Sequence, residues 1–533
     1  MDQLTARHED GTAPRVTAPR WSWARPPSVP AVVWMVLLLL VPVLLQKPLL
    51  NSDGDLARHL RHGRHMLEQG GLIRADPFSF TRPGAPFLGF EYGSQVIYAL
   101  AERVGGLPAV AVLAGLLVAL TYALLTGFLL KRGVDPLLTS LTVGLSIVLG
   151  VEHWTARPHL FSFLAVVILL GLLERKSPGR VVGYAALFTV WANIHGGFVY
   201  GWILISLYLI GSLGEMVWSP ARDTWRERSG YYLRLLLTTM AVTLVNPRGL
   251  ELHRHLWEFF STPFLRNNTV EFTSPNFHEA GSQVFLAILL LTLVILTLYR
   301  QRPTLPRLLV ICAGAAFALI AIRNIPLYGL TVLPLLALHV DDGWRRLSAL
   351  RGIRGRFEAT AGRTSTLPWT LALALLLGGL ALSHGRIGSL QLIGQNFDPT
   401  VFPVDAVARA RSAGLDGHLF SELIWGGYVL YGWPEQRVFI DGGTDFYGEA
   451  LFREYIQIVS LASGWRHLLE KWDISLALLP PRSALAHELA REPGWALWHC
   501  DSVAALLTRG KAGLPLVPRT TDSAEQQLEN CAE

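Results

Sequence analysis

Asp53 and Asp55 stand two positions apart near the head of the polar stretch Asn51–Glu91, and His59 follows Asp55 by four. Asp76 and Glu91 add two more acidic residues before the next long apolar run. Residues four apart share a helix face, so Asp55 and His59 can act together. Carboxylates at such a place suit two tasks: taking the proton of an attacking hydroxyl, or holding a cation. Ser52 or Asp53 can also cap a helix. Leu56, Leu60, Gly63 and Leu67 outline one face of that helix, and Gly70-Gly71 can end it. Capping explains Asp53 as well as chemistry does, but explains less of Asp55, which lies inside the helix. Arg58, Arg61, Arg64, His62 and His65 fall largely elsewhere. That pattern describes an amphipathic helix lying on a membrane, its basic side toward phosphates.

Polar groups recur at the ends of later apolar runs: His153, Arg157 and His159, then Asn193 and His195, then Asn246, Arg248 and Glu271, then Arg323-Asn324. Ionisable groups beside hydrocarbon are costly unless they are paired or face a cavity. Snorkelling and helix-end salt bridges explain any one of them. They do not explain why carboxylates, histidines and arginines gather on one side. A base at Asp55, or at Asp53, with Arg157, His159, His195 and Arg323 recognising phosphate and Glu91 helping to shape the site, would serve displacement at a sugar carried on a lipid phosphate. The phosphate leaves without a strong general acid, so one base and a cationic clamp suffice.

The elements that must position these residues follow from composition. The 533 residues are 51% hydrophobic and only 16% charged, with a mean hydropathy of +0.36. That excludes an ordinary soluble protein and indicates a polytopic membrane protein. The net charge of +6 gathers in particular connecting segments, which suits membrane orientation and not nucleic-acid binding. Residues 1–28 read as a disordered cytoplasmic tail. Residues 29–383 carry about eleven apolar runs, with the outer loop at 51–106. Alternate connections hold Lys131-Arg132, Arg175-Lys176 and Arg180, then Arg222, Arg226 and Arg228, then Arg300, Arg302 and Arg307, then the run from Arg345 to Arg363. The positive-inside rule puts these in the cytoplasm and the candidate site outside.

Residues 384–510 read as an extracytoplasmic α/β domain. Strands are expected at 437–440, 475–479 and 503–508, and helices at 403–412, 451–462, 465–471 and 484–491. Residues 511–533 read as a disordered tail. Of three cysteines, Cys500 and Cys531 could pair, and no metal-ligand spacing is present.

The stretch DGDLARHLRHG with the DPFSFTRPG turn resembles the first outer loop of bacterial glycosyltransferases of the GT-C superfamily. ARPHLFSF, WANIHGGF and RNIPLY look like later landmarks of that group. The resemblance implies a GT-C-like fold of about eleven transmembrane helices, shared with protein mannosyltransferases and oligosaccharyltransferases. It also implies a plasma (inner) membrane location, a polyprenyl-phosphate-linked sugar as donor, and an acceptor that is a glycan, a lipid or a protein. In that superfamily an acidic residue of the first outer loop is catalytic or binds metal, which implies Asp55 or Asp53. The Asp-Glu and Glu-x-Asp pairs of better-known branches are absent, as is an evident second acidic motif. A divalent cation, Mg or Mn, therefore stays open as a cofactor. IWGGYVLYGWPEQRVFIDGGTDFYG is similar in layout to the oligosaccharyltransferase stretch that starts Trp-Trp-Asp, through Trp425, Gly427, Tyr428 and Asp441-Gly442-Gly443. The Asp that follows the tryptophans there is missing, so recognition of an Asn-x-Ser/Thr peptide is not implied. A tight glycine turn with Trp425 in the core is the plainer account.

Two other functions fit the same composition. A transporter or lipid flippase would place ionisable residues at mid-membrane on broken helices. A non-catalytic assembly protein would bury the carboxylates in salt bridges with no open cleft.

Overall fold

The computed structural model describes residues 27–175, 180–347, 367–510 and 524–532. The expected N-terminal tail, all but its last two positions, lies outside them. The chain opens with α1 (Val29–Leu44), α2 (Gln46–Asn51) and α3 (Asp55–Gln69), then the long α4 (Tyr92–Lys131). Next come α5 (Pro136–Gly150), α6 (His159–Leu173), α7 (Val181–Ala192), α8 (Phe198–Trp218) and α9 (Arg222–Val242). The segment after α9 carries α10 (Leu250–Ser261) and α11 (Pro263–Asn267). Then follow α12 (Ala280–Leu298), α13 (Leu305–Ile320), α14 (Ile325–Arg345) and α15 (Leu367–Leu382). Among the described residues, five helical segments are long and apolar enough to cross a membrane: Tyr92–Lys131, Pro136–His153, Phe198–Trp218, Ala280–Leu298 and Ile322–Arg345. Five shorter apolar helices accompany them. The apolar run at 231–246 belongs to α9, which starts earlier, in basic sequence at Arg222.

α4 packs against α1, α3, α6 and α15. It bends at Gly105-Gly106, where Gly106 takes a left-handed φ of 69°. The part of α4 that follows Glu91 is thus set at an angle to the apolar part.

The C-terminal region forms α16 (Val404–Ser412), β3 (His418–Ser421), α17 (Leu423–Gly432), α18 (Thr444–Val459), α19 (Trp465–Lys471), β4 (Ile474–Leu479), α20 (Ala484–Arg491), β5 (Trp495–Cys500) and β6 (Ala505–Arg509), after a small β1 (Arg386–Ile387) and β2 (Leu390–Gln391) hairpin. The main sheet runs β3-β4-β6-β5, with β3 parallel to β4 and the other pairs antiparallel. Every residue of β4 is buried, as expected for a strand covered on both faces.

Four sequence expectations change here. The strand expected at 437–440 is reduced to bridge pairing at Val438, between Leu419 of β3 and Ser79 of the first loop. Trp425 lies in the core as expected, its indole N–H donating to the Val401 carbonyl at 3.1 Å, but Gly426-Gly427 beside it lie in helix α17 and not in a tight turn. Within the expected disordered tail, residues 524–532 form α21 (Ala524–Ala532), because Leu528 is buried and Cys531 is bonded to Cys500. Finally, α3 does not turn a basic side to an open surface. It lies between α4 and α17. Arg64 makes two 2.7 Å hydrogen bonds to Glu102 of α4 and stacks 4.4 Å over the Tyr431 ring of α17. Charged groups that find partners across an interface have no need of an exposed face.

Candidate functional site

The first loop and the C-terminal domain are built into each other. Phe80 N–H donates to Val438 O at 3.2 Å, and Val438 N–H to Phe78 O at 3.0 Å. Thr81 donates to Phe439 O at 2.7 Å. Asp76 is buried and accepts the N–H groups of Phe78 and Ser79, so it is a turn former. Arg248 donates to Ile73 O at 2.8 Å and also to Phe87 O, fixing the loop from the other side.

These braces frame a cavity of about 1160 Å³. Asp53, Asp55, Glu91, Arg157, His159, His195 and Arg323 all line it, with Arg58, Glu271, Asp441 and Asp445. His59 does not; it is buried between α3 and α4, with Nδ1 3.2 Å from Gln95 Nε2. Away from the polar rim the wall is apolar. Phe163 and Val166 come from α6, Val199 and Ile203 from α8, Phe317 and Ile320 from α13, and Leu327 from α14. One space therefore joins a charged end to a greasy one.

Arg157 is the hub of the charged end. Its Nη1 lies 3.1 Å from Asp53 Oδ2 and contacts Glu271 Oε1, and its Nη2 lies 2.6 Å from Asp55 Oδ2. Arg58 takes the other Asp55 oxygen at 3.2 Å. Burial alone would raise the Asp55 pKa, but Arg157 and Arg58 outweigh it and hold this carboxyl well below the usual range. Asp53 goes the other way: burial, with the Asp55 charge beside it, raises its proton affinity despite Arg157. Asp53 Oδ1 also accepts the Asp55 N–H at 3.0 Å, so it does part of a capping residue's work. Arg323 stands 3.9 Å from Glu271 and 4.4 Å over the Phe272 ring.

Glu91 precedes α4 and is aimed by the 193–197 turn. Gly93 N–H donates to Asn193 O at 3.2 Å, and Ser94 donates to Ile194 O at 2.9 Å. Burial pushes the Glu91 carboxyl up to about 7. Its oxygens lie 3.8 Å from His195 Nε2 and 3.7 Å from His59 Nδ1. Trp191 donates to Ser162 Oγ at 2.7 Å, leaving the Ser162 hydroxyl to donate to His195 Nδ1, also at 2.7 Å. Gly197 N–H points at the same nitrogen, 3.1 Å away. Nδ1 therefore accepts, and the ring proton sits on Nε2, facing Glu91. Burial keeps both His195 and His59 neutral.

The C-terminal domain closes the site with Asp441-Gly442-Gly443. A Cβ at Gly442 would run into Asp55 Oδ1, and one at Gly427 into the Gly54 carbonyl. Glycine is needed at both places for close approach. Asp441 accepts Gly443 N–H at 2.7 Å and the Tyr447 hydroxyl at 3.2 Å; burial pushes it up to about 6. Asp445 pairs with His255 of α10 at 3.0 Å.

Sequence reasoning left out Asp445, His255 and the role of Arg58. The DGGTD spacing was the available signal for the first. His255 lies in a segment that carries no apolar run to flag it.

No family model and no curated protein matches the chain. Among solved structures it is similar to the archaeal oligosaccharyltransferase AglB from Archaeoglobus fulgidus in complex with an inhibitory peptide and a dolichol-phosphate. That match has a TM-score of 0.56 at 11% identity and covers 91% of this chain and 74% of that one. The apo form of the Archaeoglobus fulgidus oligosaccharyltransferase matches at 0.53 and 11% identity, over 91% of this chain and 75% of that one. The form tethered to an acceptor peptide containing the NVT sequon matches at 0.52 and 12%, over 92% and 75%. The chain has a GT-C-type fold. The divalent cation that the sequence resemblance leaves open sets a question for the donor set here. Among the described residues no group of three or more His, Cys, Asp or Glu side chains is placed to hold a metal ion. Asp53, Asp55 and Glu271 face Arg157 instead. A dication about 4 Å from that guanidinium would meet roughly 8 kcal/mol of repulsion at an effective dielectric near 20. The residues present do not fit such an ion.

Proposed function

We propose that this GT-C chain is a glycosyltransferase that moves a sugar from a polyprenyl-phosphate donor to a hydroxyl acceptor outside the cytoplasm. The observation that carries this reading is the two-ended cavity. Its apolar wall suits a lipid chain, and its rim brings carboxylates and guanidiniums to one place. The dolichol-phosphate in the AglB structure supports a lipid-phosphate donor. The Cys500–Cys531 disulfide favours an oxidising space for the C-terminal domain, hence a plasma-membrane protein with the site on the outer face. About eleven spans and a cytoplasmic N-terminus belong to the same proposal.

In the reaction the acceptor oxygen bonds to the anomeric carbon as the bond from that carbon to the phosphate oxygen breaks. The lipid phosphate leaves with the electron pair. Arg323, and Arg157 beside it, stabilise the charge that develops on the phosphate. Asp53 and Asp55 fix Arg157 in place. Asp55 is a weak base while two guanidiniums hold it. Glu91, titrating near neutrality, is better matched to take the acceptor proton. His195, with its Nε2 proton facing Glu91, orients that carboxylate.

The test is transfer from synthetic polyprenyl-phosphate sugars by the purified full chain. Glu91→Gln, Asp53→Asn and Asp55→Asn should each lower kcat by about a hundredfold or more. Full activity in all three variants would refute the proposal.

A further inference from the structure

Three carboxylates, Asp53 and Asp55 of the first loop and Glu271 from far along the chain, converge on a single group, and that group is a side chain. Arg157 Nη1 holds Asp53 at 3.1 Å and touches Glu271, while Nη2 holds Asp55 at 2.6 Å. The second oxygens are also served, by Arg58 at 3.2 Å from Asp55 and by Arg323 at 3.9 Å from Glu271. Three negative charges thus meet three positive ones. The point the carboxylates share is filled by a planar cation that has donors and no acceptor.

We propose that Arg157 is a built-in replacement for a divalent cation, so that this site works without metal. The inference deepens the transferase reading and rests on it. A divalent ion and a guanidinium can each neutralise a departing phosphate, but they do it differently. The ion needs the carboxylates as its own ligands. The guanidinium needs them as anchors that fix its plane, and it offers directed N–H donors to phosphate oxygens. Its position is set by the fold: the Ala156 N–H donates to Leu49 O at 2.7 Å, and the Arg157 carbonyl accepts the Tyr98 hydroxyl at 3.1 Å. The side chain reaches the rim from a backbone held on both sides. It stays charged at any working pH, so the site carries its cation whatever the metal supply.

The probe is Mn²⁺ alone, titrated into the purified full chain in detergent and followed by loss of the free-ion electron paramagnetic resonance signal. The wild-type protein should take up no stoichiometric Mn²⁺ at tens of micromolar, and its transfer rate should be unchanged after EDTA. Arg157→Ala frees one oxygen on each of three carboxylates and should gain one Mn²⁺ site at least tenfold tighter than anything in wild type. Adding Asp55→Asn to that variant should abolish the gain. One equivalent of Mn²⁺ bound by wild type and lost in Asp55→Asn would overturn the proposal, as would loss of transfer on EDTA treatment restored by Mn²⁺. The wild-type titration needs no variant, so it decides even if Arg157→Ala does not fold. It also needs no donor lipid, so a failure of the transferase reading would show separately, as no transfer from any lipid-phosphate sugar.

Discussion

Replacing Glu91 by Gln should do two opposite things. It should abolish transfer and make the protein more stable at alkaline pH. Burial raises this carboxyl from 4.5 to about 7, and that move is worth about 3 kcal/mol. The folded state therefore binds the Glu91 proton more tightly than the unfolded state does. Stability from this group is complete below about 4.5, falls as pH rises toward about 7, and is flat above that. Glu91→Gln removes the dependence. At pH 8 it should be more stable than wild type by about 2–3 kcal/mol, and at pH 4.5 the two should coincide. Thermal unfolding in detergent at both pH values reads the difference.

Activity should run the other way. A base titrating at about 7 is roughly one-tenth ionised at pH 6 and nine-tenths at pH 8, so wild-type kcat/KM should rise about tenfold across that range. Asp53 and His255 both hold their protons more tightly than usual, so Asp53→Asn and His255→Gln should each leave this limb in place if Glu91 sets it; the other neighbours do not supply it. His59 and His195 are held neutral by burial, and Asp55 and Asp445 are held ionised by Arg157 and His255 respectively. Asp441 titrates lower, at about 6, so Asp441→Asn should leave the limb near 7 in place. A flat profile from pH 6 to 8 would refute the argument. So would a Glu91→Gln variant that keeps wild-type kcat.

Three further outcomes follow from the same geometry. Gly442→Ala sets a methyl against Asp55 Oδ1; it should cost about 1–3 kcal/mol of stability and at least tenfold in kcat, read by unfolding and by transfer assay. Arg323→Ala should lower kcat/KM for the lipid-phosphate donor about tenfold or more, the value of one charge-assisted contact, in steady-state kinetics. Cys531→Ser should release α21 and uncover Leu528, seen as faster amide exchange over 524–532, while transfer persists because these residues lie far in sequence from the rim and do not line the cavity.

The rim was readable from sequence for an energetic reason. Asp53, Asp55, Arg157, His195 and Arg323 sit at the ends of apolar runs, where an unpaired charge is expensive, so their presence alone marks a cavity or a network. What they do with one another was not readable. That Arg157 draws three carboxylates at once depends on a turn after α5 meeting loops far away in the chain. The burial of α3 depends on glycine contacts, with Gly63 against the Gln95 backbone and Gly54 against Ile424. No periodicity encodes such a contact, and an amphipathic helix looks the same whether its polar face meets water, lipid headgroups or a protein domain. Residues 437–440 read as a strand because the β-branched and aromatic residues there satisfy the propensity, whereas the partners of the Val438 bridge come from two distant segments.

Both close glycine contacts of the C-terminal domain fall on or beside the charged rim, and that placement constrains how the domain can act. Gly442 lies against Asp55, Gly427 against the turn that precedes it, and Tyr431 donates to Glu102 of α4 at 2.7 Å. If the domain moved away, Asp55 and Arg58 would lose their cover and meet water, and the Coulombic hold on the rim would weaken several-fold as the local dielectric rose. The raised proton affinity of Glu91 would fall with it, since burial is what raises it. Domain docking and the chemistry of the rim are therefore one equilibrium. An acceptor that binds against the Asp441 loop and favours the docked arrangement would sharpen the base that is to receive its proton.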